Sequence, residues 1–488
     1  MRGFRLDPCD NRGTRRLIPD PDSVPRRTRR ATVPIDPRIA IIGGGPGGLF
    51  TAYELQRIAD RPQRVTILEA SGRLGGKVVT PRFASADVRY EAGAAEFYDY
   101  EHFGHDPLKE LIAELGLPIR PMGGPAVIVD GQVIANLDDV RDRLGPHAAA
   151  ALLEFDRQAR DRMTPREFYA SGDRDGPAAC AELSRFDSVI GGIACPRARR
   201  FVEHMIHSDL AAEPSQTSVE YGLQNYLMND PAYMRLYGIE GGNERLVEAL
   251  AAQVDARVLL GHRAERVARS PRGTLLVRSR SGESVEDSEF DAVVVALPHD
   301  CVSRIEFAGD RLRSAVAAHH AHHDHPAHYL RITMLFERPF WRDRVSDSFW
   351  MLDRFGGCCL YDESARDPSA EHGVLGWLLG GDAARELASA PDNELVERAL
   401  DSLPAVLGDG RPLLREARVH RWAGAVSALP GGVSPMRIDR RHCPEPVDHP
   451  NLFLVGDYLY DSTLNGVLDS AQYVAGWIAA KVARSPNA

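Results

Sequence analysis

The sequence predicts an α/β fold with a Rossmann-like nucleotide-binding domain and a second domain beside it, and three observations predict it. The first is "RIAIIGGGPGGLF" at 38–50, where a short β-branched run leads into Gly43, Gly45 and Gly48, spaced G-x-G-x-x-G. The second is "LFTAYELQRIA", which comes at once after it and repeats apolar residues at Leu49, Ala52, Leu55 and Ile58, the spacing of a helix. The third is "RVTILEA", a second strand pattern that ends in Glu69, 21 residues beyond Gly48.

Each element of this unit has a physical task. Gly43 permits the tight turn, Gly45 lets a pyrophosphate approach the backbone, and Gly48 lets the helix pack on the strand. The free N–H groups at the helix start face the phosphates, which makes the loop Gly43, Gly45, Pro46, Gly47 and Gly48 the candidate phosphate cradle. A carboxylate at Glu69 accepts both ribose hydroxyls and repels a 2′-phosphate, which disfavours NADP.

The residues after Glu69 decide which nucleotide is bound. "EASGRLGGKVVT" runs from Glu69 and Ala70 straight into Arg73, Gly75, Gly76 and Lys77. This resembles the R-x-G-G-[RK] signature of the flavin-containing amine oxidase superfamily, the monoamine oxidase and L-amino acid oxidase-like FAD-dependent oxidoreductases. Three more motifs appear in that family's order: "YGIEGGNERLVEALAAQV" at 237–254, "FDAVVVALP" at 290–298 and "NLFLVGDYLYDSTLNGVLDSAQYVAGWIA" at 451–479. The resemblance spans residues 36–480.

It implies FAD, with Arg73 and the paired glycines around the pyrophosphate. It also implies backbone contacts to adenine from Ala264 in "RAERVARS", and hydrogen bonds from ribityl or phosphate-proximal hydroxyls to Asp457 after Gly456. The last helix is expected to start near Gly466 and Val467, its positive end toward the flavin ring, where it stabilises the charge of the reduced form. The competing reading of Asp457 is a turn residue that merely precedes a helix.

The resemblance further implies a discontinuous layout. An FAD-binding domain would use 36–82, 237–298 and 416–480, and an α+β substrate domain 83–236 and 299–415. Helical stretches such as "DPLKELIAELGL" and "HAAAALLEFDRQARD" in the second segment agree with this, as does the strand pattern "YLRITMLFE" at 329–337. Residues 1–35 read as a disordered basic tail; "PRRTRRATVP" lacks the apolar run that a twin-arginine signal needs next.

Three residues are candidates for the chemistry. The family places a lysine ten residues before the tryptophan of P-F-W, and counting back from Trp341 gives Arg331. An arginine keeps the charge but cannot act as a base, and the competing reading is a strand arginine reaching solvent. L-amino acid oxidases carry G-P-M-R where this chain has Gly93 followed three residues later by Glu96. A carboxylate there repels an amino acid's carboxylate and attracts a cationic amine; the alternative is a helix-start or ion-paired glutamate. Trp422 in "VHRWAGAVSALPGG" matches the tryptophan near the flavin, or is a plain core residue. The two cage tyrosines of monoamine oxidases fall on Val426 and Val467, and the cysteine that attaches FAD covalently falls on Ala425, so FAD is expected to be non-covalent.

Composition narrows the partners. A net charge of −10 argues against nucleic acid, and no apolar run approaches the roughly 20 residues of a membrane span. Seven cysteines without a C-x-x-C pair suit a reducing, cytoplasmic setting. The run "HHAHHDHPAHYL" at 319–330 matches no zinc spacing, and no metal is expected. The expected function is oxidation of a C–N bond of an amine or amino acid by hydride transfer to flavin N5, with O2 or another acceptor taking the electrons. The alternatives are a desaturase or porphyrinogen-oxidase-like flavoenzyme, and an FAD-binding scaffold without turnover.

Overall fold

Ile39, Ala40 and Ile41 are wholly buried, and a strand buried on both faces needs neighbours on both sides and cover above and below. The computed structural model, which describes residues 36–101, 104–124, 126–169, 184–345, 347–367, 370–433 and 436–484, supplies both. Arg38–Ile42 is the centre of a five-stranded parallel sheet. Arg64–Glu69 and then Ala256–Leu260 lie on one side; Ala292–Val295 and then Leu452–Leu454 lie on the other. Numbered by chain order this is 3-2-1-4-5, the doubly wound arrangement whose ligand crevice lies at the carboxyl ends of the strands. The helix Pro46–Ile58 covers the sheet and packs on the last helix, Leu464–Arg484, which starts two residues before Gly466. The tail at 1–35 lies outside the described residues.

A second, seven-stranded sheet positions the rest of the site. Its order is Leu414–Ser427, Pro326–Phe336, Gly373–Gly380, Cys358–Asp362, Phe349–Leu352, Ala126–Val129 and Gln132–Ile134. Successive side chains of a strand point to opposite faces. Leu330, Ile332, Met334 and Phe336 therefore enter one apolar core with Trp341, Trp350 and Trp377. Arg331 points the other way, opposite His420 of the neighbouring strand, toward the face that also holds Tyr361. The boundary expected at 415/416 needs correction. It cuts the strand Leu414–Ser427, which pairs along its length with Pro326–Phe336, so the sheet continues to Ser427.

Two smaller sheets complete the frame. One contains Arg263–Arg269, Leu275–Ser281 and Ser284–Phe290; the other pairs Arg235–Ile239 with Phe97–Asp99 and with Ile119–Met122. Glu96 enters directly into the strand Phe97–Asp99, so it is not a helix-start residue. The helix Pro196–Leu210 packs beneath the seven-stranded sheet and ends at Ala211, which takes the left-handed conformation. No helix among the described residues is long and apolar enough to cross a membrane.

Candidate active site

At the carboxyl end of the central strand, Gly43 turns the chain at φ +111°, and its N–H donates to the Leu68 carbonyl at 2.8 Å. Side chains could not replace these glycines. A Cβ on Gly48 would fall well inside contact with the Gly43 carbonyl oxygen, and one on Gly43 inside contact with that of Ala296. Gly45 and Gly76 face each other, the position of a Gly45 Cβ lying 3.8 Å from the Gly76 Cα. Backbone thus lines the crevice on both sides, which is what a pyrophosphate requires, and Pro46 and Gly47 open the helix above it. Gly48→Ala is expected to cost about 1–3 kcal/mol of stability through overpacking, read as a lower urea midpoint together with reduced FAD content.

The next strand and loop close the cradle. Glu69 accepts hydrogen bonds from the Gly44 N–H at 2.8 Å and from the Ser71 N–H at 2.7 Å. The carboxylate is thereby fixed at the strand end, beside the exposed Ala70. The Gly75 N–H donates to the Gly44 carbonyl, and Arg73 donates to the carbonyls of Leu74 and Gly76, so Gly75 and Gly76 are held against the first loop. Lys77 reaches across to Asp457 at 3.1 Å, which joins the R-x-G-G-[RK] stretch to the C-terminal motif. Gly456 donates its N–H to Ser470, and a Cβ on Gly466 would collide with Asp461. Val467 is half-buried beside Gly47. Ala264 is buried on the strand Arg263–Arg269, opposite Ser279.

The segment after Lys77 carries the cradle into a cavity. Gly93 lies against the Lys77 carbonyl, and Trp422 donates from Nε1 to the Ala92 carbonyl at 2.6 Å, with its ring edge toward Gly93. Trp422 is half-buried, and its indole bridges the long strand and this segment. Glu91 is fully enclosed by Arg366, Thr80 and the Asn243 N–H. Burial pushes its carboxyl up, while Arg366 pulls it back.

Arg331 has no exposed surface, which overturns the reading of a strand arginine reaching solvent. Its Nη2 pairs with Glu363, and its guanidinium lies 5.2 Å from the Tyr361 ring centroid. Glu363 also accepts from the Glu91 N–H at 2.6 Å. Glu96 faces a cavity of about 70 Å³ whose wall includes Asp209, Tyr361, Cys359, Phe349 and four methionines. Burial raises its carboxyl, opposed by Arg331 and by a hydrogen bond from Tyr361. Asp209, at the end of the helix Pro196–Leu210, is pushed up further still, by burial and by Glu96.

The structure therefore brings Arg331 and Glu96 together and sets Trp422 against the segment that leads to Glu96. Sequence reading missed Asp209, Tyr361 and Glu363. None lies in a motif, and the only local signal was their position on or next to strongly apolar elements. Rings of the histidine run pack against one another and against His299. His299 stacks on His320 at 3.9 Å between ring centroids, and His319 lies 4.5 Å from His323. Among the described residues no group of three His, Cys, Asp or Glu side chains could hold a metal.

A family model described as flavin containing amine oxidoreductase matches residues 46–479. The flavin-dependent L-tryptophan oxidase RebO of Lentzea aerocolonigenes is 24% identical over 483 residues, covering 89% of this chain and 96% of that protein. Among solved structures, cyclohexylamine oxidase from Brevibacterium oxydans IH-35A is similar with a TM-score of 0.72 at 21% identity, over 92% of this chain and all of the other. A putrescine oxidase with putrescine bound is similar with a TM-score of 0.69 at 19% identity, over 91% of this chain and 99% of the other.

Proposed function

The chain belongs to the flavin-containing amine oxidoreductase family, flavin-dependent oxidases of amines and amino acids, and from that premise we propose that it binds FAD without a covalent link and oxidises an amine. Gly43, Gly45, Gly48 and Gly76 would take the pyrophosphate, Glu69 the ribose, Ala264 the adenine through its backbone, and Asp457 a hydroxyl between phosphate and ring. Residues 36–82 and 237–298, with the C-terminal segment after Ser427, would form the FAD-binding part. FAD, when bound, supplies the oxidation, accepting a hydride from the carbon beside the nitrogen and passing the electrons to O2 or another acceptor.

The protein's own residues set which substrate is oxidised. Trp422, held on the Ala92 carbonyl beside Gly93, would stand near the flavin and steady the segment that leads to Glu96. Arg331 is held by Glu363 and stays charged, so it cannot remove a proton and acts as fixed positive charge. The observation that carries the amine reading is Glu96. It presents a carboxylate to the cavity where amino acid oxidases present an arginine, and a substrate carboxylate would be repelled there. The substrate carbon loses a hydride and its nitrogen a proton, and the resulting C=N bond hydrolyses to a carbonyl compound and ammonia.

Anaerobic mixing with amines, α-amino acids and porphyrinogens checks this. Fast bleaching of the flavin by amines, with an aldehyde or ketone as product, is the expected result. Bleaching by amino acids or porphyrinogens alone would overturn it, and a flavin that only dithionite reduces would favour a scaffold.

A further inference from the structure

Four carboxylates and two arginines meet around the cavity, and their pairing is uneven. Glu91 holds Arg366 and Glu363 holds Arg331. Glu96 and Asp209 are left over. Each has one oxygen, Oε2 and Oδ2, that is shut off from solvent and has no hydrogen-bond partner among the described residues. Arg331 lies close enough to act on Glu96, but its charge is already matched by Glu363. Arg235, the remaining cation of the lining, is exposed.

Two half-buried carboxylates, each with one enclosed oxygen that has no hydrogen-bond partner, are costly until a cation or a proton neutralises them. Two further features favour an organic cation. Asp209 is the penultimate residue of a 15-residue helix, whose C-terminal carbonyls add negative potential at the same place. The walls are apolar and adaptable, with Met122, Met228, Met234, Met351, Leu236 and Phe349, which suits a methylene chain. No third His, Cys, Asp or Glu among the described residues completes a metal set.

We propose that this cavity takes an alkyl diamine, one nitrogen being oxidised while the other, as an ammonium, lies between Glu96 Oε2 and Asp209 Oδ2 with the chain along the methionines. The inference rests on the amine reading above and adds a substrate class and a binding residue, Asp209. It makes the enzyme a selector of dications. An α,ω-diamine brings the cation that the pair lacks; an alkylamine of equal length puts a methyl group there.

The test measures anaerobic flavin bleaching by a series of α,ω-diamines and by alkylamines of matching length, with the FAD-loaded full chain. The diamine is expected to win in kcat/KM by roughly 100-fold, because its second ammonium meets two carboxylate oxygens that its competitor leaves without a partner. In Asp209→Asn that preference should fall to a few-fold, with Glu96→Gln doing the same. FAD content and circular dichroism confirm that each variant is folded, and if one fails to fold the other decides. Equal bleaching by both series, or a preference that survives both substitutions, overturns the diamine site while amine oxidation stands. Bleaching by α-amino acids but by neither amine series overturns the amine reading itself.

Discussion

Replacing Arg331 with methionine is expected to cost about 3–5 kcal/mol of folding stability, the range for removing one partner of a buried ion pair. The pair is dry on both sides, with side-chain exposures of 0% for Arg331 and 2% for Glu363. Without the guanidinium, Glu363 would keep only the Glu91 N–H as a donor among the described residues. The unmatched charge of Glu363 sets the cost, more than the missing hydrogen bond does. Urea unfolding of Arg331→Met and of the double variant Arg331→Met/Glu363→Gln separates the two. The double variant should recover most of the loss, because the glutamine at 363 carries no charge that needs the guanidinium. A single variant with nearly the stability of the parent would show that Glu363 finds another partner or a proton. The same substitution should raise the Glu96 carboxyl further, since Arg331 is the strongest influence holding it down.

Acid should unfold the protein through its buried histidines. His442 is held down to about 3 and His319 to about 4, in both by burial first. The two residues are 1% and 4% exposed. An unfolded histidine titrates near 6.5, so below that pH the unfolded chain binds protons that the folded one refuses, and stability falls as pH falls. Each ring approaches roughly 1.4 kcal/mol per pH unit well below pH 6.5, so the two together remove about 3 kcal/mol between pH 6.5 and 5. Asp461, raised by burial to about 6, acts in the opposite sense, because it takes up its proton in the folded state. A difference measurement removes that contribution. The stability gap between the parent and His442→Asn should be flat above about pH 7 and shrink by about 1.4 kcal/mol per unit below about 6.5. A gap that stays constant into the acid range would mean that His442 is already charged in the folded protein. The effect should reach the cofactor as well. His442 Nε2 lies 3.0 Å from the Ser470 hydroxyl, which in turn accepts the Gly456 N–H at 3.2 Å, next to Asp457.

The glycine cradle was legible because its geometry is local: Gly43, Gly45 and Gly48 act within six residues, and the Glu69 strand comes directly after the helix. Glu96 could be found by its distance from Gly93, and Arg331 by its distance from Trp341. Their environments could not. Arg331 meets Glu363 across 32 positions, and Glu91 meets Arg366 across 275, through registers that only the folded sheets define. Asp209 was missed because a helix end among apolar residues gives no sign of which cavity it closes. The misplaced boundary at 415/416 has a similar cause. "LREARVHRWAGAVS" is a 14-residue strand whose partner, Pro326–Phe336, lies far earlier in the chain, and nothing within it marks the sheet to which it belongs.

The seven-stranded sheet divides its residues by parity, and that division bears on how such proteins diverge. Along Pro326–Phe336 the even positions from Leu330 onward fill the tryptophan-rich core, while Arg331 turns to the opposite face, over the Tyr361 ring. On the function proposed above, stability and selectivity would be carried by alternate residues of the same strands. Drift at the substrate-facing positions can change which amine is accepted without disturbing the side chains that hold the sheet. A shared fold at 19–21% identity to the oxidases of cyclohexylamine and putrescine is what such a partition would leave behind.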